Sequence, residues 1–140
     1  MDKIIQIAID GPAGAGKSTI AKILAQRLNI LYLDTGAMYR AITYYAGLKG
    51  VAGDDNEGLE KIFQDFDLRF ENGKLFLNGK AVDQELRTPQ IDKAIAVFAA
   101  NPFVRAKLVA MQREIAAQRS VVMDGRDIGT VVLPDTPYKF

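Results

Sequence analysis

Cysteine and histidine are both absent from the 140 residues. Without cysteine there is no disulfide framework, no thiol chemistry and no thiolate metal site. Without histidine, serine–histidine triads and the usual zinc sites are excluded as well. Charge of one sign is also scarce. The formal net charge is +1, so bulk electrostatics support neither a nucleic-acid nor a membrane-surface role. Long hydrophobic runs are lacking too. The longest wholly apolar stretch, Ala94 to Ala100, is too short to cross a membrane. The opening MDKIIQIAID is no signal peptide, because its apolar run is short and ends at Asp10. The expected location is the cytoplasm.

What is present reads as globular. Apolar residues are 49% and charged residues 25%, a balance that supports one domain, or a core with a small insert. The charge is unevenly distributed. Residues 1–50 carry a net +3, residues 51–92 a net −5 and residues 93–140 a net +3. The acidic middle reads as a separate module, and any polyanion should bind the flanking parts.

The pattern along the chain is α/β. Ile4 to Ile9 is a near-continuous apolar run, the mark of a strand buried on both faces. Gly11 to Ser18 is glycine-rich. A helix follows, with Ile20, Ile23, Leu24 and Leu28 as its expected apolar stripe, and Asn29 ends it. Ile30 to Leu33 is a second strand. Strand–helix–strand with short joints predicts a parallel sheet. Thr35 is placed to cap a second helix running to about Leu48. Asp54 or Asp55 caps a third, with Leu59, Ile62, Phe63 and Phe66 on one face. The period then changes. DLRF-ENG-KLFL-NG-KAV holds two Asn–Gly turns between short alternating runs, which predicts an antiparallel meander over Asp67 to Val82. Thr88-Pro89 and Asn101-Pro102 each start a helix, the second striped by Val104, Leu108, Met111 and Ile115. Val121 to Asp124 returns to parallel-strand character, and Tyr138-Lys139-Phe140 begins another strand. The expected division is a core over 1–50 and 101–140 with an insert over 51–100.

Gly11-Pro12-Ala13-Gly14-Ala15-Gly16-Lys17-Ser18 fits G-x-x-x-x-G-K-[ST] at every required position, between a buried strand and a helix. Glycines let backbone N–H groups converge on phosphate oxygens, and the helix N-terminus adds a favourable field. Lys17 is placed for the β- and γ-phosphates, and the Ser18 hydroxyl for Mg²⁺. A glycine-rich turn that only packs is the weaker explanation. Asp124 ends an apolar strand, and such an aspartate near a phosphate loop supplies a second anchor for Mg²⁺, usually through water. A cap or turn aspartate is the alternative. Asp124, Arg126 and Asp127 form either a closed ion-pair cluster or a set of charges facing a substrate. Arg40 sits one turn into the second helix, where its side chain should lean back toward Thr35. Arg87 sits just before a helix cap. Arg27, Arg69, Arg105, Arg113 and Arg119 read as solvated charges.

The stretches IDGPAGAGKST, LDTGAMYR, ELRTPQI and MDGRDIGTVV, in this order and spacing, resemble bacterial cytidylate kinases of the nucleoside monophosphate kinase group. The resemblance implies a three-layer phosphate-loop kinase fold with a monophosphate-binding insert. It implies transfer of the γ-phosphoryl group of ATP to CMP or dCMP with Mg²⁺. Gly11, Pro12, Ala13, Gly14, Ala15, Gly16, Lys17, Ser18 and Thr19 would bind ATP. Thr35, Arg87 and Asp127 would read cytosine, and Arg40 and Arg126 would hold the CMP phosphate. Lys17, Arg126 and Arg40 would be catalytic, and Ser18 and Asp124 would serve the metal. Cytosine fits such a set: N4 donates to Asp127 or the Thr35 hydroxyl, and N3 and O2 accept from Arg87. The family pattern continues beyond the position of Phe140 into an arginine-rich lid, a strand and a helix. The first strand is therefore expected to be poorly covered on one side. A monomer is expected at full length, with strand exchange or association open to the shorter chain. The alternatives are a non-catalytic nucleotide-binding fragment and a different phosphate-loop kinase of small molecules.

Overall fold

β-Branched and aliphatic residues crowd three short runs, and each run becomes a strand of one parallel sheet. A computed structural model describes residues 3–11, 16–71 and 73–140. The elements in chain order are β1 (Gln6–Asp10), α1 (Lys17–Leu28), β2 (Leu31–Asp34), α2 (Thr35–Leu48), α3 (Asn56–Gln64), β3 (Leu68–Glu71), β4 (Lys74–Leu77), β5 (Lys80–Ala81), α4 (Pro89–Ala100), α5 (Pro102–Gln118), β6 (Val121–Gly125) and β7 (Tyr138–Lys139). A single π-type turn occupies Ile128–Val132. The chain divides into two compact units, residues 1–35 with 109–140, and residues 36–108. The second unit therefore takes in α2, which the expected 51–100 insert left with the core.

The first unit is built on a four-stranded sheet in the order β2-β6-β1-β7. All three pairings are parallel, with Ala8 opposite Met123, Leu33 opposite Met123 and Ile7 opposite Tyr138. Strand β6 is buried over Val121–Asp124, as expected of a strand covered on both faces. One expectation is corrected here. Strand β1 is not left uncovered on one side: β7 pairs with it, and the ladder continues through Phe140 N–H to Ala8 O (2.8 Å) and Asp10 N–H to Phe140 O (2.9 Å). The unsatisfied edge that motivated strand exchange is thus occupied by the chain's own last residues.

A second correction concerns α1. Its buried residues are Ala21 and Ala25, packed with Ile7, Ile9 and Val122 and flanked by Leu24, Ile30 and Tyr32. Ile20, Ile23 and Leu28 are exposed. Small residues face the sheet because they let the helix backbone come close, so bulk and periodicity pointed to the wrong face of the helix. Asn29 does end α1, in the left-handed conformation.

The second unit joins helices to a three-stranded antiparallel meander, β3-β4-β5. Leu68 stands opposite Leu77 and Phe70 opposite Leu75, so the alternating pattern puts its leucines on one buried face. The Asn78–Gly79 turn has positive φ at both residues (50° and 84°), the reason for its composition. Asn72 of the first Asn–Gly turn lies outside the described residues. Asp55, rather than Asp54, caps α3 by accepting from Gly58 N–H (3.1 Å). Thr88 caps α4 with Pro89 behind it. Asn101 does more than start α5. Its Oδ1 accepts from Phe103 N–H (2.9 Å), while its Nδ2 donates to Gly53 O (2.9 Å) and Asn56 Oδ1 (2.7 Å).

The face of α1 can be tested by substitution. Ala25→Leu should destabilise the chain by about 1–3 kcal/mol through overpacking, whereas Ile23→Ser should change stability by less than about 0.5 kcal/mol. Urea denaturation followed by circular dichroism checks both, and the reverse ranking would contradict the packing.

Candidate functional site

The carboxyl ends of parallel strands gather at one sheet edge, and this is where α/β folds bind ligands. Three strands here end on aspartate or carry it next to last: Asp10 closes β1, Asp34 closes β2 and Asp124 precedes Gly125 in β6. The register sets Asp10 opposite Gly125 and Asp34 opposite Asp124. An acidic edge therefore adjoins the glycine-rich loop, whose charge preference is the opposite.

Gly16 is left-handed (φ 79°) and opens α1. Lys17, Ser18 and Thr19 form its first turn, with no acidic residue in that turn to oppose an anion. The stem of Lys17 lies along Gly11, where a side chain would begin 3.6 Å from Lys17 Cδ. Ser18 and Thr19 are exposed. Pro12, Ala13, Gly14 and Ala15 lie outside the described residues.

Asp124 is buried, with 2% of its surface exposed. The Tyr32 hydroxyl donates to its Oδ2 (2.9 Å). Burial, and then the negative charge of Asp34, push the Asp124 carboxyl above the ordinary aspartate range; the Tyr32 hydrogen bond and the charges of Lys17 and Lys22 act in the opposite direction. The Tyr32 hydroxyl is pushed up as well, by burial first and then by Asp34 and Asp124. This carboxylate is held in a site that penalises its charge, which is the condition under which a nearby cation is most favourable.

Thr35 opens α2, and its hydroxyl reaches across to β6. It donates to the backbone carbonyl of Asp124 (2.8 Å). With its only proton committed, Thr35 Oγ1 is left to act as an acceptor. The contact also explains Gly125 (φ 156°). A Cβ there would fall far inside contact distance of Thr35 Oγ1.

After Gly125 the chain turns, and Arg126 and Asp127 are both exposed. Asp127 is left-handed (φ 59°, ψ 28°). Asp10, Gly11, Arg126, Asp127 and Thr130 line a cleft of about 410 Å³. The phosphate-loop start and the charged turn thus share one concavity. Sequence reading missed the part of Asp10 in it, although three apolar runs each leading into aspartate were a visible signal. Tyr32, Asp34 and Arg113 were missed too. Arg113 is exposed, as expected of a solvated charge, and it also donates through Nε to Val132 O (3.2 Å) and through Nη2 to Val131 O.

The remaining expected residues belong to the second unit. Arg40 has partners from outside its own helix. Its Nη1 donates to Asp92 Oδ1 (2.7 Å) and to Leu86 O (3.3 Å). Leu86 directly precedes Arg87 in the segment that enters α4, so Arg40 is bonded to the backbone next to Arg87. The Arg40–Asp92 pair is solvent-accessible, more so on the Asp92 side, and such pairs contribute little.

A parallel sheet in this order, with a phosphate loop between its first strand and first helix, is the phosphate-loop kinase fold. The cytidylate kinase family model matches residues 7–140. Curated relatives named cytidylate kinase include that of Clostridium tetani (strain Massachusetts / E88), 47% identical with 97% of this chain and 60% of the relative covered. That of Clostridium botulinum (strain Loch Maree / Type A3) is 50% identical, covering 97% and 63%. That of Ligilactobacillus salivarius (strain UCC118) is 50% identical, covering 99% and 64%. The chain belongs to the cytidylate kinase family. It spans about three fifths of the length of these relatives.

Two outcomes are expected. Gly125→Ala should cost about 2–4 kcal/mol, because both the backbone and Thr35 must shift, read by chemical denaturation. The second follows from the raised Asp124 carboxyl. The folded state holds this proton more tightly than the unfolded chain does, so its burial costs nothing below the ordinary aspartate range. The cost grows as pH rises through the window up to the raised value, and is complete above it. Asp124→Asn should therefore melt at a higher temperature than the unsubstituted chain at neutral pH, with the gap closing on acidification. A lower melting temperature for the variant at neutral pH would contradict this.

Proposed function

We propose that this chain carries the ATP-binding and CMP-binding parts of a cytidylate kinase, which transfers the γ-phosphoryl group of ATP to CMP or dCMP in the cytoplasm. The observation that carries the reading is the shared cleft, lined by Asp10 and Gly11 at the start of the phosphate loop and by Arg126 and Asp127 of the turn after β6. Family membership and the cytidylate kinase names of the relatives support the choice of CMP over other acceptors.

In this reading Gly11 to Thr19 hold the ATP phosphates, with Lys17 at the γ-phosphoryl group. The acceptor is itself a phosphate, so donor and acceptor repel. Two unit charges 4 Å apart cost roughly 4 kcal/mol at an effective dielectric near 20. Arg126 and Arg40 offset this by binding the CMP phosphate through guanidinium forks, Arg40 leaving Asp92 to do so. No strong general base is needed, because the attacking phosphate oxygen is already a nucleophile, and the lack of histidine is no obstacle. Residues 36–108 supply Arg40 and Arg87 and act as the monophosphate-binding region.

Cytosine is read by its hydrogen-bonding edge. Asp127 accepts from N4, and Thr35 Oγ1, whose proton is already given to the Asp124 carbonyl, accepts alongside it. Arg87 donates to N3 or O2. Uracil would bring O4 against a carboxylate and a committed hydroxyl, which supplies the repulsive half of the specificity.

The donor set also suits Mg²⁺, a hard cation that prefers oxygen ligands and keeps several waters. Asp124 is a buried carboxylate beside a second one, so a divalent cation relieves the repulsion. The Ser18 hydroxyl, and Asp124 through water, would hold it. When bound with ATP, Mg²⁺ neutralises charge on the transferring phosphoryl group.

A coupled assay with MgATP and CMP, dCMP, UMP or AMP tests the proposal, with binding of each nucleotide measured separately. CMP and dCMP should be turned over and bound in preference to UMP and AMP. Lys17→Ala should lower turnover at least about a hundredfold. Equal handling of all the monophosphates would contradict the base assignment, and CMP binding without turnover would contradict the kinase activity.

A further inference from the structure

The π-type turn after Asp127 is gripped at both ends by side chains of opposite charge. At its start, Asp10 accepts from the amides of Ile128 (Oδ1, 2.6 Å) and Gly129 (Oδ2, 2.9 Å). At its end, Arg113 donates to the carbonyls of Val131 and Val132. Each sign matches the partial charge of the turn end it meets. The turn closes through Val132 N–H to Asp127 O (3.3 Å) and Leu133 N–H to Ile128 O (2.7 Å), five-residue steps that are rare and cluster at functional sites. Gly129 leaves space for the grip: a Cβ there would stand 3.1 Å from both Asp10 Oδ2 and Lys139 Cδ.

Asp10 is unfavourable where it stands. It immediately precedes the phosphate loop and lines the same cleft as Gly11, so its charge repels a bound triphosphate. A neutral side chain could cap one amide without that cost. Here a separate oxygen accepts from each of two successive amides, and among short side chains only a carboxylate offers two accepting oxygens. The two residues fixed by this arrangement are Arg126 and Asp127, which lead directly into the gripped amides. Asp127 in particular holds a left-handed backbone that a non-glycine residue keeps only when its surroundings enforce it.

We infer that Asp10 is a positioning residue for the acceptor nucleotide: by holding the amides of Ile128 and Gly129 it sets Arg126 and Asp127 at the cleft. The inference rests on the reading that Arg126 takes the acceptor phosphate and Asp127 the base. It separates the two nucleotides, since a residue next to the phosphate loop serves the acceptor and opposes the donor.

Asp10→Asn tests this. The substitution keeps the size and one accepting oxygen, and turns an amide group against the second N–H. Calorimetry of CMP, UMP and ATP binding to both forms of the chain gives the readout. CMP should weaken about tenfold, the loss of one charge-assisted hydrogen bond, and the preference for CMP over UMP should shrink. ATP should bind as well as before or more tightly, an outcome a merely structural role would not produce. Unchanged CMP affinity and preference would overturn the inference, as would a parallel loss of CMP and ATP binding. If the original chain itself fails to distinguish CMP from UMP, the underlying base assignment falls, and the inference with it. Should Asp10→Asn not fold, Arg113→Met loosens the other end of the turn. The same selective loss of CMP is then expected, and unchanged CMP binding overturns the inference.

Discussion

The parallel pairing of β6 with both β1 and β2 is the interaction on which the candidate site depends. Its register brings Asp10 beside Gly125 and Asp34 beside Asp124. Everything at the acidic edge follows from it: the glycine that must lack a side chain beside Thr35, the threonine hydroxyl bonded to the Asp124 carbonyl, and the turn hung from Asp10. Most of these links are backbone hydrogen bonds or side-chain bonds to backbone. The geometry is therefore set by the sheet rather than by exposed ion pairs, which salt and motion weaken.

The electrostatics of this edge are deliberately mixed. A phosphate site requires positive charge, and Lys17, Arg126 and a helix N-terminus without acidic residues supply it. Yet four aspartates, Asp10, Asp34, Asp124 and Asp127, stand at this edge. Asp124 is held as a buried carboxylate whose ionised form is unfavourable, so this part of the fold gives up stability for a charge that a cation can use. Asp10 gives up donor affinity for the placement of the turn. Asp127 lines the cleft, where the proposal has it accept from the cytosine amine.

Elements defined by backbone chemistry were legible in the sequence. The Thr88-Pro89 start of α4, the Asn78–Gly79 turn and the buried run of β6 all follow from local steric and hydrogen-bonding rules. What failed depended on tertiary contacts. The apolar stripe of α1 was assigned by bulk, whereas close packing on the sheet selects Ala21 and Ala25. The first strand was expected to lack cover, but a two-residue strand and Phe140 suffice to pair it. The partners of Arg40, Asp92 and the Leu86 carbonyl, lie about fifty residues away along the chain and could not be read from its own helix. Arg113 is exposed, as read, but nothing local reveals that Val131 and Val132 present carbonyls to it. The charged residues of MDGRDIGTVV were visible as a cluster, while the grip of Asp10 on the same turn was not, because it joins positions more than a hundred residues apart.

The central claim is that the end of β6 and the turn after it read the acceptor nucleotide. A crystal structure of the chain with CMP bound tests it most directly. The account requires the cytosine N4 within hydrogen-bonding distance of Asp127 and Thr35 Oγ1, and the phosphate on the Arg126 guanidinium. A CMP whose phosphate lies in the Gly11–Ser18 loop, or whose base makes no contact with Asp127, would contradict it.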